Sequence, residues 1–142
     1  MDWRLNHLLR GLKISASIGE SKGDNLIAGL PLDSVNPRKT VLALKYDAPS
    51  TKYGVEALLT NTAAKNRVST ATFFKPASSN VIDMFAYWQP LSALQVNVGI
   101  LNATNKKYWQ WSDVRGVSVT SAVLDRFSQP GRNISVSAKL TF

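Results

Sequence analysis

Side chains that could do chemistry are scarce in this 142-residue sequence: it has one histidine, His7, and no cysteine. Without thiols there is no disulfide framework and no thiolate metal site, and a single imidazole cannot build a multi-histidine metal centre or a conventional catalytic triad. No glycine-rich GxxxxGKS cradle for phosphate occurs. Glu56 and Asp83 fall in separate alternating segments and do not read as an acid/base pair, and His7 lies beside a short turn, where it reads as structural. Binding chemistry is denser. In "NKKYWQWSDVRG" Trp109 and Trp111 could form a flat aromatic surface, and Lys106, Lys107, Arg115 and, further on, Arg126 could attract anionic groups. These residue types suit recognition rather than bond-making, and the sequence reads as a non-enzyme.

The elements that would hold these residues follow from charge and periodicity. A net charge of +8 would suit nucleic acid, but the 17 Lys and Arg are spread from Arg4 to Lys139 rather than gathered on one segment, so no nucleic-acid partner is expected. "MDWRLNHLLRGLK" lacks the apolar core and cleavage site of a signal peptide, and no stretch approaches the ~20 apolar residues of a membrane helix. What recurs instead is period-two alternation, while helical periodicity never persists. It predicts strands at residues 12 to 20, 40 to 46, 53 to 60, 80 to 88, 94 to 101 and 133 to 142, with residues 2 to 8 as a seventh. In the last of these Ile134, Val136, Ala138, Leu140 and Phe142 alternate with Asn133, Ser135, Ser137, Lys139 and Thr141.

The connections alternate too. "LRG", "APSTK" and "QPLSA" are short, with the Gly, Pro and Ser that tight turns use. Between them come "SKGDNLIAGLPLDSVNPRK", "NTAAKNRVSTATFFKPASS" and "NKKYWQWSDVRGVSVTSAVLDRFSQPGR". Strict short-long alternation is the asymmetry of a transmembrane antiparallel β-barrel, with tight turns on the periplasmic rim and long loops outside. Tyr46, Tyr53, Trp88 and Phe142 gather on the apolar face near the short turns, as an interfacial aromatic girdle would. A soluble β-sandwich also alternates apolar and polar residues, but it requires neither the loop asymmetry nor aromatics at one rim. Seven strands cannot close such a barrel, because open edges in hydrocarbon leave backbone groups unpaired. The expectation is therefore a piece of a longer chain.

"YWQPLSALQVNVGILNATNKKYWQWSDVRG", followed by "LDRFSQPGRNISVSAKLTF", resembles the C-terminal end of TonB-dependent outer-membrane receptors of the haem, haemoglobin and transferrin group. In that family the penultimate strand leads into an NL(F/T)(D/N)KKYW segment, matched from Leu101 to Trp109. The closing strand starts with PGR, matched by Pro130, Gly131 and Arg132, and ends on Phe. "NPRKTVLALKYDAPS" is similar to a preceding strand and turn of the same family. The resemblance covers most of the chain and is most specific over residues 87 to 142.

It implies an all-β fold, about the last seven strands of a 22-stranded plugged barrel, with residues 1 to 142 as the C-terminal portion and the plug domain absent. The implied function is TonB-dependent uptake of haem, or of iron from haem proteins, at the cell outer membrane. Alternatives are a siderophore receptor, another outer-membrane barrel such as a porin or adhesin translocator, and a soluble β-rich binding module. Implied partners of the full receptor are outer-membrane lipid, haem or haemoglobin, the TonB complex through the missing N-terminal region, and the barrel-assembly machinery through the closing strand. Haem would be transported rather than held as a cofactor, since the Phe-Arg-Ala-Pro and Asn-Pro-Asn-Leu elements that flank a haem-ligating histidine in that family are absent. In this frame Trp109 and Trp111 would contact a porphyrin or haemoprotein, or belong to the outer aromatic girdle. Lys106, Lys107, Arg115 and Arg126 would meet anionic ligand groups, or else lipopolysaccharide phosphates and loop carboxylates such as Asp113 and Asp125.

Overall fold

The alternating segments from residue 12 onward are strands in the computed structural model, which describes residues 1–4 and 10–141. His7, Phe142 and most of the first expected strand lie outside the described residues. The main strands are β1 (Asp2–Arg4), β2 (Leu12–Gly19), β5 (Lys39–Asp47), β6 (Tyr53–Thr62), β7 (Ser79–Leu91), β8 (Leu94–Leu101) and β9 (Asn133–Leu140), while β3 (Asp24–Asn25) and β4 (Leu30–Pro31) form a small separate hairpin. Among the described residues the seven main strands make one antiparallel meander in chain order, with β1 and β9 at its edges, and the sheet does not close.

Register aligns the apolar face across the sheet. One row runs Trp3, Ile14, Leu44, Ala57, Met84, Ile100, Ile134, each opposite the next. The neighbouring row on the other face, Lys13, Lys45, Glu56, Phe85, Gly99, Ser135, is largely polar. The apolar band has definite limits. At one end Tyr53 pairs with Trp88; at the other Asn61 pairs with Asn80, and their amides hydrogen-bond at 2.7 Å. The span from Tyr53 to Asn61 is about 27 Å along the strand at ~3.4 Å per residue. At the tilt usual for such barrels this becomes a height of about 20 Å, close to the apolar belt of an outer-membrane barrel.

Burial is inverted relative to a soluble domain. The band is open, with Leu44 49% and Val136 69% exposed, and among the described residues the buried apolar side chains are Ala48, Val81, Trp111 and Val114. Two of these four belong to the last long connection, so the densest packing lies at the loop end. A contiguous apolar sheet face of this size needs a covering. Among the described residues no helix is long and apolar enough to cross a membrane, which has no bearing on a strand-built one.

On the opposite face polar groups satisfy one another. Tyr87 donates to the Asp47 carboxylate at 3.0 Å, which Lys45 also meets at 3.1 Å. Gly54 fits beneath the Tyr87 ring, where an added Cβ would fall 2.4 Å from a ring carbon and 2.9 Å from the Tyr46 carbonyl oxygen. Strand β7 runs past the expected limit at Trp88 to Leu91, with its register against β8 shifted between Trp88 and Leu91. Pro90 sits in that irregularity, where a missing N–H is tolerated.

Candidate functional site

Residues that could recognise a ligand gather where the three long connections meet, beyond the Asn61–Asn80 end of the band. The sequence predicts plain loops there, but the structure shows more. The first carries the β3–β4 hairpin, and the third carries α1 (Trp111–Val114) and a 3-10 turn at Leu124–Phe127. The three are tied together. The Trp111 indole N–H donates to the Asp33 carbonyl at 2.7 Å, from the third connection to the first. Lys65, in the second, donates to the Val35 carbonyl at 2.6 Å with its ammonium 4.7 Å from the centre of the Trp111 ring. The Asp33 carboxylate accepts hydrogen bonds from the Ser69 N–H at 2.9 Å and from the Ser69 hydroxyl. Phe74 N–H to Val117 carbonyl (2.8 Å) and Val119 N–H to Thr72 carbonyl (2.9 Å) join the second to the third.

The electrostatics follow from this packing. Lys65 is 5% exposed, and burial pushes its ammonium pKa down although Asp33 opposes the shift. The Ser69 hydroxyl holds the Asp33 carboxyl below its ordinary value. Burial, with the Asp83 charge second, raises the Tyr108 phenol. A cavity of about 310 Å³ lies under the 108–112 segment, lined by Lys39, Thr60, Asp83, Tyr108, Gln110 and Ser112 among others.

The motif residues have structural work. Asn102 and Asn105 take left-handed conformations (φ 48° and 53°). The Asn102 amide donates to the carbonyls of Lys106 (2.8 Å) and Pro130 (3.1 Å), while its oxygen accepts the Lys106 N–H at 2.8 Å. Asn105 accepts the Arg132 N–H at 2.9 Å. "NATNKKYW" and "PGR" are thus the two halves of one clasp, where the chain leaves β8 and returns to β9. Asp83 serves the same junction by accepting the Asn102 N–H at 2.7 Å.

The expected site residues are placed differently from one another. Trp111 is 2% exposed, so its ring fills the junction between loops and presents no open stacking face. Trp109 is half-buried, its indole donating to the Leu124 carbonyl at 3.0 Å and its ring edge-on to Phe74 at 5.3 Å. Arg115 and Arg126 are exposed, and among the described residues no carboxylate pairs with either. Lys107 meets Asp125 at 2.9 Å, the ordinary pairing anticipated for these charges. At the opposite rim Tyr46 and Tyr53 stand 6.3 Å apart, with Trp88 opposite Tyr53 on the same apolar face. Asp33, Lys65 and Ser69 were not legible in the sequence, since nothing in a polar connection marks a lysine that will be buried. No group of three or more His, Cys, Asp or Glu that could hold a metal occurs among the described residues.

No family model matches the chain. The hemoglobin-binding protein A of Haemophilus influenzae is 28% identical over an alignment covering 98% of this chain and 16% of that protein. This chain therefore spans about a sixth of the length of that curated relative. Among solved structures, the copper transporter OprC superposes with a TM-score of 0.84 at 17% identity, over 99% of this chain and 23% of that one. A ferric enterobactin receptor (PfeA) from Pseudomonas aeruginosa gives 0.71 at 19% identity, over 95% and 20%. At such identities the structural likeness establishes the fold, and the sequence relative narrows it. The chain thus shares the fold of barrel strands in these outer-membrane transport proteins, and its sequence is similar to that of haemoglobin-binding proteins.

Proposed function

We propose that this chain is the barrel wall and outer-loop cluster of a receptor that takes haem, or iron from haem proteins, across the outer membrane. The observation that carries this reading is the alignment of 98% of the chain with a hemoglobin-binding protein. Its residues do the work of binding and positioning. The apolar band seats the strands in lipid, and the polar face lines the lumen, where a plug domain supplied by the rest of the receptor would lie. Coupling to the TonB complex belongs to the region preceding the plug, and recognition by the barrel-assembly machinery to β9. Exposed Arg115 and Arg126 draw anionic groups toward the loops, Trp109 offers a partly open ring edge, and Trp111 fixes the loops rather than touching cargo. No step of this function makes or breaks a covalent bond, so no catalytic residue is assigned.

A second reading, a siderophore receptor, is favoured by the superposition on the ferric enterobactin receptor. One experiment separates the two. The full-length receptor is expressed in an iron-limited Gram-negative host without haem receptors of its own, supplied with haemoglobin, haem or ferric siderophores. Growth on haemoglobin or haem that is lost without TonB is expected. Growth on a siderophore alone would select the second reading.

A further inference from the structure

The first long connection ends in a feature that neither the barrel nor the loop junction uses. In "GDNLIAGLPL", β3 and β4 form a hairpin whose tip holds Leu26, 95% exposed, and Ile27, fully exposed. Isolated exposed aliphatics are ordinary. Two adjacent ones at the end of a fixed turn are a different matter. The Asn25 side-chain oxygen accepts the N–H groups of Ile27 (3.0 Å) and Ala28 (3.1 Å), and the Asn25 carbonyl accepts the Gly29 N–H at 2.8 Å. Gly29 takes φ 64°, a conformation glycine adopts without strain. The hairpin base is anchored in turn. Leu32 N–H bonds the Gly23 carbonyl at 3.0 Å, Asp24 pairs with Arg67 of the second connection, and Asp33 is held by Ser69.

The turn is therefore ordered before any partner arrives, which removes part of the entropic cost of docking. Its shape restricts the partner. A convex apolar tip cannot enclose a small molecule, since small-ligand sites are concave. It fits a depression on the surface of something large. Its polar surroundings, with Lys22, Asp24 and Arg67 near the base, resemble the rim around an interface anchor.

We propose that the Leu26–Ile27 tip is an anchor that docks into an apolar depression on a protein carrier, haemoglobin, rather than contacting the haem it carries. This rests on the haem-protein reading above and deepens it by separating capture of the carrier from handling of the cargo.

The test uses the full-length receptor in intact cells. Ile27→Cys introduces a thiol where this chain has none, and the unsubstituted receptor provides the labelling blank. A membrane-impermeant maleimide should label Ile27→Cys, saturating haemoglobin should suppress labelling at least about fivefold, and free haem should not. The double substitution Leu26→Asp/Ile27→Asp, at positions that pack on nothing, should leave the amount of assembled receptor and growth on free haem unchanged. It should weaken haemoglobin binding at least about thirtyfold, as loss of an interface anchor does. A thiol unreactive without ligand would mean that the receptor's own loops cover the tip, and would overturn the proposal. Fewer assembled receptors in the double variant would point to lipid or internal packing and would overturn it too, as would unaltered haemoglobin binding. Haemoglobin binding by the unsubstituted receptor is measured alongside. If that is missing, the haem-protein reading itself fails; if it is present and the tip variants behave normally, only the anchor fails.

Discussion

Replacing Trp111 by Phe removes the indole N–H together with part of the ring volume from a buried junction, and the consequence belongs to the loops alone. The Asp33 carbonyl loses its indole donor inside a packed junction, a loss of roughly 1–3 kcal/mol when a buried acceptor is left unsatisfied. Trp111→Phe should leave the assembled barrel intact while the 20–38 and 63–78 connections become more sensitive to added protease on intact cells. Unchanged cleavage would mean that the three connections are not held by this ring. At this scale the sequence was informative about residue type and silent about role. Trp111 was visible as an aromatic in a basic segment, yet its partner Asp33 lies 78 residues away, and no local pattern links two positions so far apart. Asn102 shows the reverse. Its place in a recognisable motif was plain, and the structure supplies the reason, a side chain that ties the departing and returning chain together.

Strands were legible because period two is a geometric necessity once one face meets apolar surroundings and the other polar ones. The strongest case is β9, predicted at residues 133 to 142 and described as Asn133–Leu140. Its register places Val136 opposite Val98 and Ser137 opposite Asn97, on opposite faces. In the full receptor Val136→Arg should cost roughly 2–4 kcal/mol at mid-membrane and show as loss of heat-modifiable barrel. Ser137→Arg, directed to the polar lumen, should assemble nearly normally. Val136→Phe separates lipid from a protein core: fluid lipid accommodates the ring, whereas close packing would be overfilled at roughly 1–3 kcal/mol. The ends of elements were harder to read. With "QPLSA" read as a turn, the expected strand ends at Trp88, whereas β7 continues to Leu91 through a register shift against β8 that leaves room for Pro90. The short helix, the 3-10 turn and the β3–β4 hairpin left no mark in periodicity, since each is too short to repeat.

Taken whole, the chain is an open sheet with two edge strands, an apolar outer face and its tightest packing in the loops. Expressed alone it should enter inclusion bodies or require detergent, because unpaired edges and an uncovered apolar face both favour association. A monodisperse monomer that unfolds cooperatively in plain buffer would contradict a membrane setting. The central claim, however, concerns sidedness: the long connections and their shared junction face outside, and the aromatic pair at Tyr53 and Trp88 faces the periplasm. The measurement that tests it is an epitope inserted at exposed Ala122, away from the Phe74–Val117 hydrogen bond, in the full-length receptor. Antibody should bind intact cells as well as it binds permeabilised ones; binding only after the outer membrane is opened would contradict the account.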